Sequence, residues 1–203
     1  EMLSGISHDL RTPLTRMKLQ IALLKDKNAI DSLSNDVKEM REMIDDYLTF
    51  AKGEGEEKHS KKDLNKLLDI IIKKINTSKN IRIKNNINNK LFLFIKPLAM
   101  HRALSNIISN ALNFAQNKIH IDAYQNKKNI VIIIEDDGPG VPKNKRLDVF
   151  KAFYRIDKSR SSNSGNSGLG LTIAKNIIQD HSGSIKLNES KLGGLKVEIL
   201  FAK

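Results

Sequence analysis

Residues 129–140 read NIVIIIEDDGPG. Five apolar residues, Ile130 to Ile134, stand between a polar start and an acidic Gly-Pro-Gly turn. So short a run, ended by turn residues, reads as a strand over Asn129–Glu135 and is far too short to cross a membrane. Working upstream, Lys118 to Tyr124 alternates as a second strand. Pro97 stands where a first helical turn would start, and the helix behind it runs to about Ala115, with Leu104, Ile107, Ile108, Ala111 and Phe114 inward. Before it come a short apolar run, Leu91 to Ile95, an alternating IRI at Ile81 to Ile83, and a helix with Leu64, Leu67, Leu68, Ile71, Ile72 and Ile75 on one face, for which Asp63 is the cap. Downstream, a Gly/Ser-rich stretch covers Lys158 to Gly170, a helix spans Leu171 to His181, and closing strands lie at Ser184–Leu187 and Leu195–Phe201. Strands and helices without strict alternation point to an α/β sandwich, helices on one face of a mixed sheet. No internal repeat is visible.

The first 52 residues follow another period. Leu10, Leu14, Met17, Ile21 and Leu24 are spaced 4, 3, 4, 3, and Ile30, Leu33, Val37, Met40, Ile44 and Tyr47 are spaced 3, 4, 3, 4, 3. Two heptad seams broken at Asp26–Asn28 make a helical hairpin. Two helices cannot enclose their own seams, so the expected solution is a homodimer closing a four-helix bundle. Packing of the hairpin on the rest of its own chain is the alternative. Residues 53–62, GEGEEKHSKK, read as a linker. The domains are thus 1–52, linker 53–62, and 63–203.

Composition narrows the function. The 203 residues include no Cys, which excludes a disulfide scaffold, a thiolate metal site and a cysteine nucleophile. The net charge is +12, but residues 1–52 carry −1 and residues 53–203 carry +13. In the basic part, Lys is scattered among Asn, and the 10 aromatics do not interleave with it, so nucleic acid is not expected as a partner. An acidic partner or a polyphosphate suits the surface better. The chain does not begin with Met, has no signal-peptide pattern, and is read as a piece of a longer chain.

Two groups of motifs carry chemistry. In Ser7-His8-Asp9-Leu10-Arg11-Thr12-Pro13, His8 and Thr12 fall one turn apart on the exposed face. Pro13 removes a helical hydrogen bond at the Asp9 carbonyl. A carboxylate beside an exposed imidazole can take the proton from one ring nitrogen and sharpen the other as a nucleophile. Spacing alone fits a solvated helix face with an ordinary histidine at least as well. In the second group, Asn106 and Asn110 share a helix face, Asp136-Asp137-Gly138-Pro139-Gly140 ends a strand, and Gly168-Leu169-Gly170 opens a helix. Glycines allow close approach of backbone to a ligand, a helix N-terminus offers N–H groups to phosphate, and an amide oxygen suits Mg²⁺. His59, His101, His120 and His181 show no metal spacing, and His59 reads as a solvated linker residue.

SHDLRTPLTRMKLQIALL resembles the phosphoacceptor box of the sensor histidine kinases of two-component systems. SNIISNALNFA resembles their Asn-containing box, EDDGPGVP the first glycine box, VFKAFYRID the Phe-containing box, and GNSGLGLTIAKNII the second glycine box. HDLRTPLTR and EDDGPG look most like the EnvZ-like osmosensor group. The resemblance implies an α plus α/β fold: a dimeric four-helix-bundle hairpin followed by a Bergerat-fold α/β sandwich that binds ATP. It implies that ATP phosphorylates His8 with Asp9 as base, that the phosphoryl group passes to an aspartate in the receiver domain of a response regulator, and that Thr12 serves phosphatase activity on that regulator. Asn110 would bind Mg²⁺ through the nucleotide, supported by Asn106. Phe114, Asp136, Gly138 and Gly140 would form the adenine side, with Asp136 reading the amino group. Gly168, Leu169 and Gly170 would lie at the phosphates, under a lid over Lys158–Ser167 anchored by Phe150 and Phe153. The homodimer would be the cytoplasmic portion of a bacterial inner-membrane sensor, meeting the membrane only through N-terminal sensor and transmembrane segments beyond this sequence. The boxes depart from the family where Asn113 stands in place of a basic residue and Gly165-Asn166-Ser167 in place of a Gly-Gly pair. A clamp-driving ATPase of the same superfamily, or a phosphotransfer scaffold with a degenerate nucleotide site, are the alternatives.

Overall fold

The computed structural model describes residues 13–52, 57–74, 81–87, 90–156 and 168–202. His8, Asp9 and Thr12, and the lid stretch Lys158–Ser167, lie outside the described residues.

The hairpin is present as helix α1, described over 13–21, and helix α2, Lys27–Lys52. The break between them comes earlier than the spacing suggests, at residues 22–26. Its cause is local: the Asp26 carboxylate accepts the N–H groups of Asn28 (2.9 Å) and Ala29 (3.4 Å), which makes Asp26 the N-cap of α2. Leu24, expected on the first seam, therefore stands exposed in the connection. Leu14, Ile21 and Val37 are buried against one another with Ile30 and Ile44 packed alongside, whereas Met17, Leu33 and Met40 are exposed.

The second part is built on a five-stranded sheet. Its strands are β2 (Arg82–Asn85), β4 (Lys118–Gln125), β5 (Asn129–Asp136), β6 (Gly183–Glu189) and β7 (Leu195–Ala202), in the order β2-β4-β5-β7-β6. Strand β2 runs parallel to β4, and the other neighbours are antiparallel, so the sheet is mixed as expected. Alternation puts Ile119, Ile121 and Ala123 of β4, Ile130, Ile132 and Ile134 of β5, and Val197, Ile199 and Phe201 of β7 on one buried face. Helices α3 (Leu64–Lys74), α4 (Pro97–Phe114) and α5 (Gly170–Asp180) cover that face and share its core. Asp63 caps α3 through the N–H groups of Asn65 and Lys66, as expected. Phe114 is a correction: placed inward by its spacing, it is 50% exposed in the last turn of α4, where the stripe ends at Ala111.

Ser60–Asp63, most of it assigned to the linker, forms strand β1, antiparallel to β3 (Phe92–Ile95) in a separate two-stranded sheet. Lys-rich and polar, SKKD carries no strand signal of its own; pairing with the apolar β3 imposes the conformation.

Ile132 is fully buried on the middle strand, while its neighbour Ile133 points to the other, half-covered face. Ile132→Ala should cost about 2–5 kcal/mol in urea unfolding, and Ile133→Ala less than about 2 kcal/mol.

Candidate nucleotide-binding site

The candidate residues gather where β5 and α4 end and α5 begins. Asp136, the last residue of β5, is only 3% exposed. Its Oδ1 accepts the N–H groups of Gly138 (2.9 Å) and Leu195 (3.1 Å), and its carbonyl oxygen accepts that of Gly194 (3.2 Å). Its Oδ2 accepts no hydrogen bond from any described residue. Burial pushes the Asp136 carboxyl above its usual range; the N–H groups of Leu195 and Gly138 oppose this, and the nearby Asp137 charge adds to it. Asp137 takes another part. Burial pushes it up as well, but the N–H groups of Asn117, Lys118 and Gln116 outweigh that and hold it below the usual value. Its carboxylate, at 2.8 Å from the Gln116 nitrogen and 3.0 Å from that of Asn117, ties the exit of α4 to the start of β4. Asp137 thus commits both carboxylate oxygens to backbone N–H groups, whereas Asp136 commits only Oδ1.

Two glycines let this happen. A Cβ on Gly138 would fall on the Phe114 carbonyl oxygen, so the end of α4 packs directly against the turn after β5. A Cβ on Gly194 would fall on Asp136 Oδ1 and the Gly138 nitrogen. Gly194 and Leu195 were absent from the sequence-based site. The signal for them is the Gly193-Gly194 pair just before β7, which reads as an ordinary turn until β7 is known to lie beside β5. Gly140, with φ 68°, sits against the Gly194 carbonyl.

On α4, Asn106 and Asn110 are both half-buried. The Asn106 amide donates to the Gly170 carbonyl at 3.3 Å, joining α4 to the first residue of α5. Asn110 lies one turn nearer Gly138; its amide oxygen is a hard donor that fits Mg²⁺ shared with phosphate oxygens. Leu169 is buried in the core at the N-cap of α5, a position whose apolar side chain makes no capping bond of its own. N–H groups at such an end are positioned for phosphate. The Phe153 N–H donates to the Gly168 carbonyl at 3.1 Å, pinning together the two ends of residues 154–167. Gly168 has φ 71° there, a conformation open to glycine. Of the two expected lid anchors, Phe150 is buried, with its carbonyl accepting the Thr172 hydroxyl at 2.9 Å, whereas the Phe153 ring is exposed and anchors through its backbone.

Gly194→Ala should destabilise the protein by about 1–3 kcal/mol in urea unfolding, because the added methyl must move the Asp136 carboxylate or the Gly138 backbone.

The chain matches two family models in order. Residues 1–56 match the His Kinase A (phospho-acceptor) domain, and residues 95–203 match the family described as histidine kinase-, DNA gyrase B-, and HSP90-like ATPase. It is 34% identical over 208 aligned positions to the sensor histidine kinase CpxA of Escherichia coli strain K12, covering 98% of this chain and 46% of that protein. To the sensor protein RstB of the same strain it is 29% identical over 204 positions, covering 97% and 47%. The chain therefore spans about half the length of these relatives. Among solved structures, full-length ShkA in complex with AMPPNP aligns with a TM-score of 0.76 at 22% identity, over 98% of this chain and 45% of that one. The histidine kinase AdeS of Acinetobacter baumannii aligns with 0.70 at 22% identity, over 96% and 97%. These two likenesses show the fold, a helical hairpin followed by an α/β sandwich. With both domain models matched in order and a relative of 34% identity aligned along nearly the whole sequence, the chain belongs to the sensor histidine kinases.

Proposed function

We propose that this chain is the catalytic core of a two-component sensor kinase: it phosphorylates its own His8 from ATP, passes the phosphoryl group to an aspartate of a response-regulator receiver domain, and hydrolyses that phospho-aspartate with the help of Thr12. The observation that carries the reading is the buried Asp136, with one carboxylate oxygen held by two backbone N–H groups and the other open to a ligand. An ionised carboxylate in that position accepts a hydrogen bond from the exocyclic amine of adenine. The ring lies beside the glycine turn at Gly138 and Gly140, which packs closely on the end of α4 and on Gly194, with the exposed Phe114 ring at the rim. The N-terminal end of α5, behind Gly168, Leu169 and Gly170, receives the phosphates. Asn110 would hold Mg²⁺, which would supply charge neutralisation to the transferring phosphoryl group.

Catalysis on the ATP-binding side is positioning and charge neutralisation. His8 attacks the γ-phosphorus through one ring nitrogen. An N–P bond forms, the bond to the β,γ-bridging oxygen breaks, and ADP leaves with the electron pair. Asp9 takes the ring proton. In the second transfer the N–P bond breaks as the regulator's aspartate oxygen bonds to phosphorus. Thr12, one turn from His8 by spacing, meets the same docked phospho-aspartate and orients a water by hydrogen bonding. The exposed seam residues Met17, Leu33 and Met40 support a homodimer. No helix among the described residues is long and apolar enough to cross a membrane. The reading places sensor and transmembrane segments elsewhere in a longer inner-membrane protein, with this part on the cytoplasmic side. The EnvZ-like grouping rests on HDLRTPLTR and EDDGPG alone.

Incubation with γ-labelled ATP and Mg²⁺ should give acid-labile, base-stable label on the protein. His8→Gln should abolish it while leaving ATP binding intact; label on that variant would remove His8 as the acceptor.

A second test follows from the raised Asp136 pKa. The ionised form is the stronger acceptor for the adenine amine, so ATP affinity should fall as pH is lowered through that raised value, at a higher pH than an ordinary aspartate would give. Asp136→Asn should weaken ATP about 10- to 100-fold at neutral pH and remove this part of the pH dependence. Titration of the ATP phosphates is common to both proteins, so the difference between their affinity–pH curves isolates Asp136.

A further inference from the structure

Helix α4, which carries Asn106 and Asn110, begins without a cap of its own. Lys96 occupies the N-cap position in extended backbone and its side chain makes no capping bond, and Pro97 follows. The N–H groups that need partners are those of Lys96, Leu98 and Ala99. All three are satisfied from far away in the sequence. Glu57 Oε1 accepts from Leu98 at 2.7 Å, and Glu57 Oε2 accepts from Ala99 at 3.1 Å. His181 Nε2, just past the end of α5, accepts from Lys96 at 2.9 Å, its Nδ1 lying 2.7 Å from the Ile177 carbonyl. His59 completes the junction, its ring stacked on Phe94 at 5.6 Å between centroids and tilted against His181 at 5.3 Å. One residue further, Ser60 enters β1 against β3.

From this geometry we infer that Glu57 is a positioning residue for phosphoryl transfer: by capping α4 through space it makes the end of the linker part of the ATP-binding domain, so that any swing of that domain toward the hairpin turns on the chain before Glu57. The inference rests on the kinase reading above. Helices α4 and α5 run from this junction to the candidate nucleotide site, where Asn106 and Gly170 join them again. A carboxylate on the linker therefore holds the far end of the helix whose other end faces ATP. Without it, Glu57 and the chain beside it are no longer held to the ATP-binding domain, and the nucleotide meets His8 at a lower effective concentration and in more orientations.

The two roles of Glu57, helix cap and tether, can be separated. Glu57→Ala removes both. Adding Lys96→Asp restores a cap without the tether, because a carboxylate at the N-cap position reaches the N–H groups of the second and third helical residues, which here are Leu98 and Ala99. On the full chain, Glu57→Ala should lower Tm by about 2–5 °C, and Glu57→Ala/Lys96→Asp should recover it together with the KM for ATP. The rate of His8 labelling should stay at least about threefold below wild type in both variants. Recovery of the labelling rate along with Tm would show that Glu57 is only a cap and overturn the inference, as would a wild-type rate in Glu57→Ala itself. A wild-type chain that takes no label at all would sink the kinase reading and this inference with it, an outcome distinct from the other two.

Discussion

A carboxylate at the end of a central strand, almost without solvent, organises the ATP-binding part of this protein. Burial alone would drive Asp136 toward its neutral form. Two backbone N–H groups on Oδ1 oppose that, and they come from different loops, Gly138 after β5 and Leu195 at the start of β7. For both loops to reach one oxygen they must touch each other, so Gly194 has no room for a Cβ, while Gly138 is closed off by the Phe114 carbonyl at the end of α4. The same turn leaves only a carbonyl's width for the end of α4. The position of that helix, and of the asparagines on it, follows from the demand of a single buried charge.

Helix α4 is accordingly held at both ends by groups that are not its neighbours in sequence. At its C-terminal end, Phe114 meets Gly138, and Asp137 gathers the N–H groups of Gln116 and Asn117. At its N-terminal end, Glu57 and His181 do the work that a local Ser or Asp would do. A cap supplied locally would stabilise the helix and communicate with nothing. A cap supplied by the linker makes the stability of the first turn depend on where the linker is. That dependence is the physical content of a link between the phosphoacceptor hairpin and the nucleotide site.

Local signals made most of this legible in advance. The apolar stripe of α3 with its Asp63 cap, Pro97 at the start of α4, the alternating strands β4 and β7, and the Gly/Asp motifs all have short-range causes and appear where the residue pattern places them. What escaped has long-range causes. SKKD becomes a strand only because FLFI lies opposite. Glu57 sits 41 residues from its partner at Leu98, and His59, which looks like a solvated linker residue, is ring-stacked on Phe94. Gly194 matters only once β7 lies beside β5. Even a correct motif can misassign one of its residues: Phe114 fits the periodicity of a core stripe, yet the stripe stops one turn earlier because the chain must turn toward Asp137.

The hairpin shows a finer division that spacing alone does not reveal. Taking Leu14 as a heptad a position, Ile21 on α1 and Ile30, Val37 and Ile44 on α2 are also a positions, and Met17, Leu24, Leu33 and Met40 are d positions. The structure separates the two sets. The a residues are buried or packed against one another inside the hairpin, and the d residues whose side chains are described are exposed, from 37% for Met40 to 43% for Met17 and Leu24. Each helix of a four-helix bundle touches two neighbours, so one heptad position serves the helix next to it in sequence and the other serves a helix from elsewhere. A hairpin meant to stand alone would have no reason to keep a strict d row, since each Leu or Met left in water forgoes about 1.5–3 kcal/mol of burial. The row keeps its register across both helices, so the surface that covers it must be periodic in the same way. In the proposed homodimer, a second copy of the same hairpin meets that requirement.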